Sequence, residues 1–299
     1  MKRWGVVIPT RNREDSLRKV LTLLNRQSHE GVDLSIIVVV DGSTDGTSEM
    51  LRKEFPSAAV IEGDGNWWWS RSVNEGCKRA LDKGTEADAV LLLNDDVEFP
   101  DDYIRHLMDA NKKEPGAVIG SLNLTHETGA GALTRIFFSG VKRFRWWLGK
   151  MERAHGFLTP YERAMPGLYP SVVLPGRGSL VPSRVFKAIG FFDERKLPQY
   201  KADYDFFLRA NKHRIPVYIS GDSIIYVKVE STGGGAPFVK QRFLTFFSSL
   251  FKTNTRTNLA QNLIFYARHY PRWALPLLPL TGFMVLTRQI VRFFTEKKY

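Results

Sequence analysis

Through its first half the chain alternates short apolar runs with stretches of helical periodicity, an order that few folds accept. Trp4–Ile8, Leu34–Val40, Ala58–Ile61, Ala89–Leu93 and Ala117–Ile119 read as strands. Leu34–Val40 and Ala89–Leu93 carry no charge, as expected of strands buried on both faces. Between the strands lie Leu17, Val20, Leu21 and Leu24 at helical spacing, a short helix at Glu49–Lys53, and a longer one from about Ser72 to Lys83. Pro100-Asp101-Asp102 has the proline and acidic first turn of a helix start, and that helix runs to about Asn111. Repeated β-α units imply an α/β fold with a doubly wound, mostly parallel sheet. Ligands of such sheets bind just outside the carboxyl ends of the strands.

The second half is less regular. Residues 123–170 carry Arg135, Lys142, Arg143, Arg145, Trp146, Trp147, Arg153 and Tyr161, a basic, aromatic excursion that reads as partner-facing loops or a solvated linker. Order returns with a strand at Val172–Leu174, a helix over Ser183–Ile189 and a helix beginning near Asp203 that turns Phe206, Phe207 and Ala210 inward. Strands at Val217–Ile219 and Ile224–Val229 complete the pattern. Gly233-Gly234-Gly235 is the best boundary, dividing a body of residues 1–235 from a tail of residues 236–299.

Charge follows that boundary. The chain of 299 residues has a net charge of +12. Residues 236–299 hold ten basic side chains against the single acid Glu296, so most of the excess lies in the tail. A balanced body with a basic end suits attachment to an anionic surface. The acid-lined body argues against nucleic acid as the main partner. One cysteine, Cys77, allows no internal disulfide and fits a reducing compartment, and its helical setting beside Val73, Ala80 and Leu81 makes it a core thiol. Met1-Lys2-Arg3-Trp4 leads directly into a strand without a long apolar signal segment.

The strand ends carry the polar residues. Pro9-Thr10-Arg11-Asn12-Arg13 follows the first strand, Asp41-Gly42-Ser43-Thr44-Asp45 the second, and Asn94-Asp95-Asp96 the fourth. Adjacent carboxylates at one strand end repel unless positive charge lies beside them, and a hard cation carrying a diphosphate is a natural partner. With Gly190-Phe191-Phe192-Asp193-Glu194 and Ala202-Asp203-Tyr204-Asp205, these clusters stand in the order found in family 2 glycosyltransferases of the GT-A fold, which residues 4–235 resemble. Gly65–Gly76, with its Trp67-Trp68-Trp69 run, also resembles a bacterial rhamnosyltransferase-like subgroup that builds cell-surface polysaccharide.

The resemblance implies a nucleotide-sugar half over residues 1–98 and an acceptor half over 99–235. Pro9, Thr10, Arg11, Asn12 and Arg13 would line the nucleotide pocket, with an arginine for the diphosphate. Asp41 would accept the pyrimidine ring N–H. Trp69, Arg71, Asn74, Asn94 and Asp95 would lie near donor phosphates or sugar. Asp96 matches the last residue of the metal motif and would hold Mg²⁺ or Mn²⁺. Asn94 stands where many members have Asp, and Ile225–Thr232 lacks the histidine many relatives place there. Asp203 matches the base of an inverting transfer, with Asp205 as runner-up. Gly176, Arg177 and Gly178 would border the acceptor. Helix capping is the alternative reading of Asp203 and of the Asp41–Asp45 turn, where Thr44 or Asp45 can cap while Asp41 binds. The three tryptophans cannot all enter one core from a regular strand.

The implied activity is inverting transfer of a sugar such as L-rhamnose from a dTDP- or UDP-linked donor to a lipid-linked or polysaccharide hydroxyl. Nucleotidyl transfer is a second reading, against which Pro9–Arg13 shows no glycine-rich phosphate loop; a non-catalytic glycan-binding protein is a third. In the tail, Phe243, Phe246, Phe247, Leu250 and Phe251 cluster at helical spacing, and Trp273–Thr287 is apolar around Pro276 and Pro279. Fifteen residues fall short of the roughly 20 that cross a bilayer. An interfacial helix on an anionic membrane, at the cytoplasmic face, is one expectation. Helices that pack on the body, or on a second subunit as a homodimer, are the other.

Overall fold

The computed structural model describes residues 1–126, 133–161, 166–228, 247–253 and 255–295. The glycine boundary at 233–235, Phe243 and Phe246 lie outside the described residues.

Three βα units open the chain, in the predicted order. They are β1 (Lys2–Thr10) with α1 (Glu14–Asn25), β2 (Val32–Asp41) with α2 (Thr47–Glu54), and β3 (Ala59–Gly63) with α3 (Trp68–Leu81). Next come β4 (Ala89–Leu92), the two-residue β5 (Val97–Glu98), α4 (Tyr103–Lys113) and β6 (Val118–His126). The central sheet then gains β7 (Thr134–Phe138), β10 (Leu168–Pro170), β11 (Ser179–Pro182) and β12 (Val217–Val227), while β8 (Val141–Arg145) and β9 (Lys150–Arg153) form a separate hairpin. Helices α5 (Ser183–Ile189) and α6 (Ala202–Lys212) precede β12, and α7 (Leu259–His269) and α8 (Leu278–Thr295) follow it.

The sheet runs β10-β12-β6-β11-β4-β1-β2-β3. β1, β2, β3 and β4 are parallel, as are β6 and β12. β11 joins the two groups antiparallel to both β4 and β6, so the sheet is mixed. That joining strand is not the one expected. Val173 and Leu174 are buried but irregular, and the pairing falls to Ser179–Pro182. The excursion at 123–170 is also more ordered than its composition suggests, because β7 pairs with β6 and the β8–β9 hairpin follows. The two expected last strands are one: pairing with β6 slips between Ser220 and Ile224, and that irregularity absorbs the break.

Helix α3 shows how the body is clamped. A Cβ on Gly76 would stand 2.4 Å from Val7 Cγ1, so only glycine lets this helix lie so close to β1. The tryptophan run opens this helix rather than a strand; Trp68, at φ 56°, is its exposed member. Cys77 is fully buried in the same helix, and burial pushes its thiol far above the usual range. One continuous core takes in both halves of the sheet, its helices, and Phe265 and Tyr266 of α7. Helix α7 of the tail therefore packs on the body.

Candidate active site

The ends of β1, β2 and β4 lie side by side, and their loops are tied together. Asn12, at φ 52°, donates its backbone N–H to Ser43 Oγ (2.9 Å) and accepts from Thr44 N at Oδ1 (2.7 Å). Asp45 accepts from Thr47 N and Glu14 N, capping α2 and α1. Asp41 turns the other way and accepts from the backbone N–H groups of Gly65 (2.8 Å), Trp67 (3.1 Å) and Trp68 (3.2 Å) at the start of α3. Arg11 reaches the Gly65 carbonyl, and Arg71 stacks 4.6 Å over Trp67. Capping and shaping of this loop thus fall to Asp45 and Asp41 respectively.

Arg13 supplies the positive charge that the paired carboxylates require. Its Nη1 lies 2.9 Å from Asp96 Oδ2 and 3.3 Å from Asp95 Oδ1. Thr10 Oγ1 donates to the other Asp95 oxygen at 2.8 Å. Burial pushes Asp95 up to about 6 against the pull of Arg13, and the two acids hold the Arg13 guanidinium above its ordinary range although burial opposes this. Beside them opens a cleft of about 460 Å³ lined by Asn12, Arg13, Asp45, Asp96, Glu98 and Lys228. Lys228 comes from the end of β12, where β5 pairs with it, and lies 3.7 Å from Glu98.

The fit to a divalent ion is narrow. Among the described residues no group of three or more His, Cys, Asp or Glu side chains is arranged to hold a metal. Both Asp95 oxygens are engaged, and Asp96 Oδ2 is taken by Arg13. Asp96 Oδ1 has no hydrogen bond among the described residues. One carboxylate oxygen suffices for Mg²⁺ or Mn²⁺ only when a diphosphate and waters complete the shell. Asp96 Oδ1 is the carboxylate oxygen of this pair left for such an ion.

Asp203 is linked to this site by packing. Asn94 Oδ1 accepts weakly from the Trp69 indole N–H at 3.4 Å. Trp69 covers Gly176 so closely that a Cβ there would stand 2.1 Å from Trp69 Cζ2. The Gly176 N–H donates to Asp203 Oδ2 at 3.2 Å. Arg177 follows, its Nε on Asn123 Oδ1 (3.0 Å) and its guanidinium 4.9 Å over the Phe137 ring. Burial lowers the Arg177 pKa, while the negative charge of Asp96, and less strongly of Asp203, resists. Asp203 does not line the 460 Å³ cleft, but Arg177 feels both acids. The helix cap falls to Lys201, at φ 71°, rather than to Asp203. Asp203 sits one position inside α6, and burial raises its carboxyl although Tyr204 N–H and Gly176 N–H oppose this. Gly178 N–H bonds the Leu92 carbonyl at 2.7 Å, holding the loop on β4.

Two of the expected site residues are committed elsewhere. Asn74 is buried and fully used by Phe192 N and O and by Glu194 Oε2, stitching α3 to the Gly190–Glu194 loop. Asp205 is fully buried and bonds Arg209 Nε (2.9 Å), Arg268 Nη1 (2.9 Å) and His269 Nε2 (2.8 Å). Burial opposes its charge, but the His269 bond and Arg209 bring it down to about 2. Arg268 also holds Asp193 at 2.6 Å. The pin between α6 and α7 carried no signal in the sequence, where Arg268 reads as one more tail cation. Lys201 was missed as well.

Helix α8 presents two faces. Thr281, Val285 and Arg288 meet the turn at 146–149: Tyr270 OH contacts Thr281 Oγ1 (2.9 Å), and Arg288 Nη2 donates to the Leu148 carbonyl (2.9 Å). Leu280, Phe283, Ile290, Val291 and Phe294 point to solvent, and Trp273 ahead of them is 76% exposed. The apolar stretch is longer than the fifteen residues expected. Arg272–Val291 spans 20 residues with mean hydropathy 1.4 and 11% buried, long and apolar enough to cross a membrane. Pro276 sits in a 3₁₀ turn that passes directly into α8, and the added residues lie at the two ends, Arg272 and 288–291.

A mixed α/β sheet with acids gathered at its strand ends is a GT-A-like arrangement. The chain belongs to glycosyl transferase family 2, whose family model matches residues 5–165, and it is a glycosyltransferase. It is 26% identical, over 67% of this chain and 68% of the relative, to the N-acetylglucosaminyl-diphospho-decaprenol L-rhamnosyltransferase of Mycobacterium tuberculosis. Among solved structures, S. aureus TarS matches with TM-score 0.58 at 16% identity, covering all of this chain and 55% of that one. Residues 1–349 of TarS in complex with UDP match with TM-score 0.57 at 16% identity, with 90% of that chain covered. GalNAc-T7 with UDP, GalNAc and Mn²⁺ matches with TM-score 0.59 at 14% identity over 76% of this chain and 44% of that one. These neighbours share the GT-A-like fold.

Proposed function

We propose that this enzyme moves a sugar from a nucleoside-diphosphate donor to a hydroxyl of a lipid-linked or cell-surface glycan, with inversion at the anomeric carbon. The observation that carries the reading is Arg177, half-buried and acted on by both Asp96 and Asp203. One acid cluster and one isolated acid thus serve a single site at the carboxyl ends of the strands. L-Rhamnose on dTDP is the first donor to test, given the mycobacterial relative's name, and UDP sugars are the second, given the neighbours solved with UDP.

In this reading Thr10, Arg11, Asn12 and Arg13 receive the nucleotide diphosphate, and the loop shaped by Asp41 receives the base. Trp69, Arg71 and Asn94 border the sugar. Asp203 takes the acceptor hydroxyl's proton as its oxygen forms the new bond to the anomeric carbon. The bond to the diphosphate oxygen breaks, and the nucleoside diphosphate leaves with that electron pair. Burial keeps Asp203 basic enough for the task. Arg13 and Arg177 stand where the leaving charge develops. Asp96 would hold a donor-borne Mg²⁺ or Mn²⁺, which supplies further charge neutralisation. Gly176 and Gly178 keep the acceptor side of the loop close to the protein.

The exposed face of α8 and the basic tail support peripheral contact with the anionic cytoplasmic face of the plasma membrane. Because the opposite face of α8 is fastened to the body through Arg288, the helix fits the interface rather than a span. The test is a panel of nucleotide sugars assayed for nucleoside diphosphate release, with and without Mn²⁺ or Mg²⁺. Release from none of them in the presence of lipid-linked acceptors would overturn the proposal.

A further inference from the structure

Four cations act on Asp203 and Tyr204, and none of them lines the 460 Å³ cleft. Lys201 immediately precedes α6, and its Nζ lies 5.1 Å from the Phe265 ring centroid and 6.0 Å from that of Tyr266. Arg256 stacks 5.9 Å over Tyr200, the neighbour of Lys201. Arg153 lies 5.1 Å over Phe157 and donates at the limit of hydrogen bonding, 3.5 Å, to the carbonyl of Phe137. The Phe137 ring in turn carries Arg177. None of the four forms an ion pair among the described residues. Each is held on an aromatic ring, which positions a cation without neutralising it.

Tyr204 feels the charges of Arg153, Arg256 and Arg177, and Lys201 those of Asp203 and Arg256, so the cations share one neighbourhood. Burial pulls the Lys201 ammonium down to about 8. Asp96 acts on Arg177 but is absent from the groups acting on Lys201. Arg177 therefore marks the border between the donor side and this cluster.

We infer that Lys201, Arg256 and Arg153, with Arg177 at their border, form a second anion subsite that takes a phosphate or diphosphate ester carried by the acceptor. The inference rests on the glycosyl-transfer reading for the word acceptor, but the subsite stands on its own contacts. A single carboxylate is satisfied by one arginine; three or four unpaired cations match a group with two or more negative charges. Lys201 rests on α7, the helix that leads toward the exposed apolar face of α8. That placement suits a diphosphate with an apolar chain beyond it.

The test is calorimetric titration of the full chain with geranyl diphosphate, after the donor site has been saturated with UDP or dTDP. Nucleotide binding is measured first and alone. If neither nucleotide binds, the donor reading fails separately and geranyl diphosphate is titrated without a blocker. The expected result is binding that persists beside the nucleotide, with geraniol failing to bind. Lys201→Met and the exposed-site Arg256→Gln each weaken it tenfold or more, while Lys201→Arg retains it and all three variants melt cooperatively. Competition with nucleotide would assign the cations to the donor. No binding, or equal binding in Arg256→Gln, would overturn the subsite.

Discussion

Two positions separate Asp203 from Asp205, and in a helix of 3.6 residues per turn they face opposite ways. Asp205 meets three donors and ionises readily; Asp203 meets two backbone N–H groups and burial raises it. Asp203→Asn should lower kcat by roughly 10²–10⁴-fold and leave nucleoside diphosphate affinity intact, which a titration beside the rate assay would show. The acidic limb of the rate profile should lie above the ordinary aspartate value of 3.8, since the base must be unprotonated. Asp95, raised by burial like Asp203, shows its titration in stability. Its folded carboxyl titrates at about 6 against 3.8 unfolded, so the fold binds the extra proton between those values and loses stability as pH rises from about 4 to about 6. Thermal melts of Asp95→Asn should lack that decline, worth up to about 3 kcal/mol.

At the scale of elements, the pin between α6 and α7 matters most. Asp205→Ala would leave Arg209, Arg268 and His269 without their shared anion, at a cost of about 3–5 kcal/mol, readable by denaturant unfolding. Linkage gives the same contact a pH signature. The Asp205 contribution is present above the unfolded value of 3.8 and is lost as pH falls toward about 2. Gly176→Ala should push against the Trp69 ring and cost about 1–3 kcal/mol, with the indole fluorescence shifting as the ring moves.

The elements themselves were largely legible. Uncharged runs such as Leu34–Val40 fixed the buried strands, and acids at their ends marked the site. What periodicity could not reveal was β11, because Ser179–Pro182 is only four residues long and its pairing is settled by distant partners on β4 and β6. Asn74 and Asp205 were drawn toward the ligand by their motifs, whereas Asn74 bonds partners 118 and 120 residues away and Asp205, beyond the local i,i+4 contact with Arg209, bonds partners 63–64 residues away. The long-range pairings leave no trace in local spacing.

For the whole molecule, the basic tail divides its charge between two uses. Arg268 and Arg288 are spent inside the protein on Asp193, Asp205 and the 146–149 turn. The apolar side of α8 remains for a partner. Trp273→Glu with Phe283→Glu should abolish co-sedimentation with anionic vesicles while leaving the melting temperature within a degree or two, since both side chains are mostly exposed. Retained sedimentation together with a smaller particle by light scattering would instead assign that face to a second copy of the chain.

Arg268 grips Asp193 with one nitrogen and Asp205 with the other, so the interior of the body is electrically complete only when the tail is in place. A polypeptide released before that arginine would leave Asp193 without its partner and Asp205 with Arg209 alone. The carboxyl-terminal segment is therefore wired into the charge balance of the body, unlike a detachable anchor.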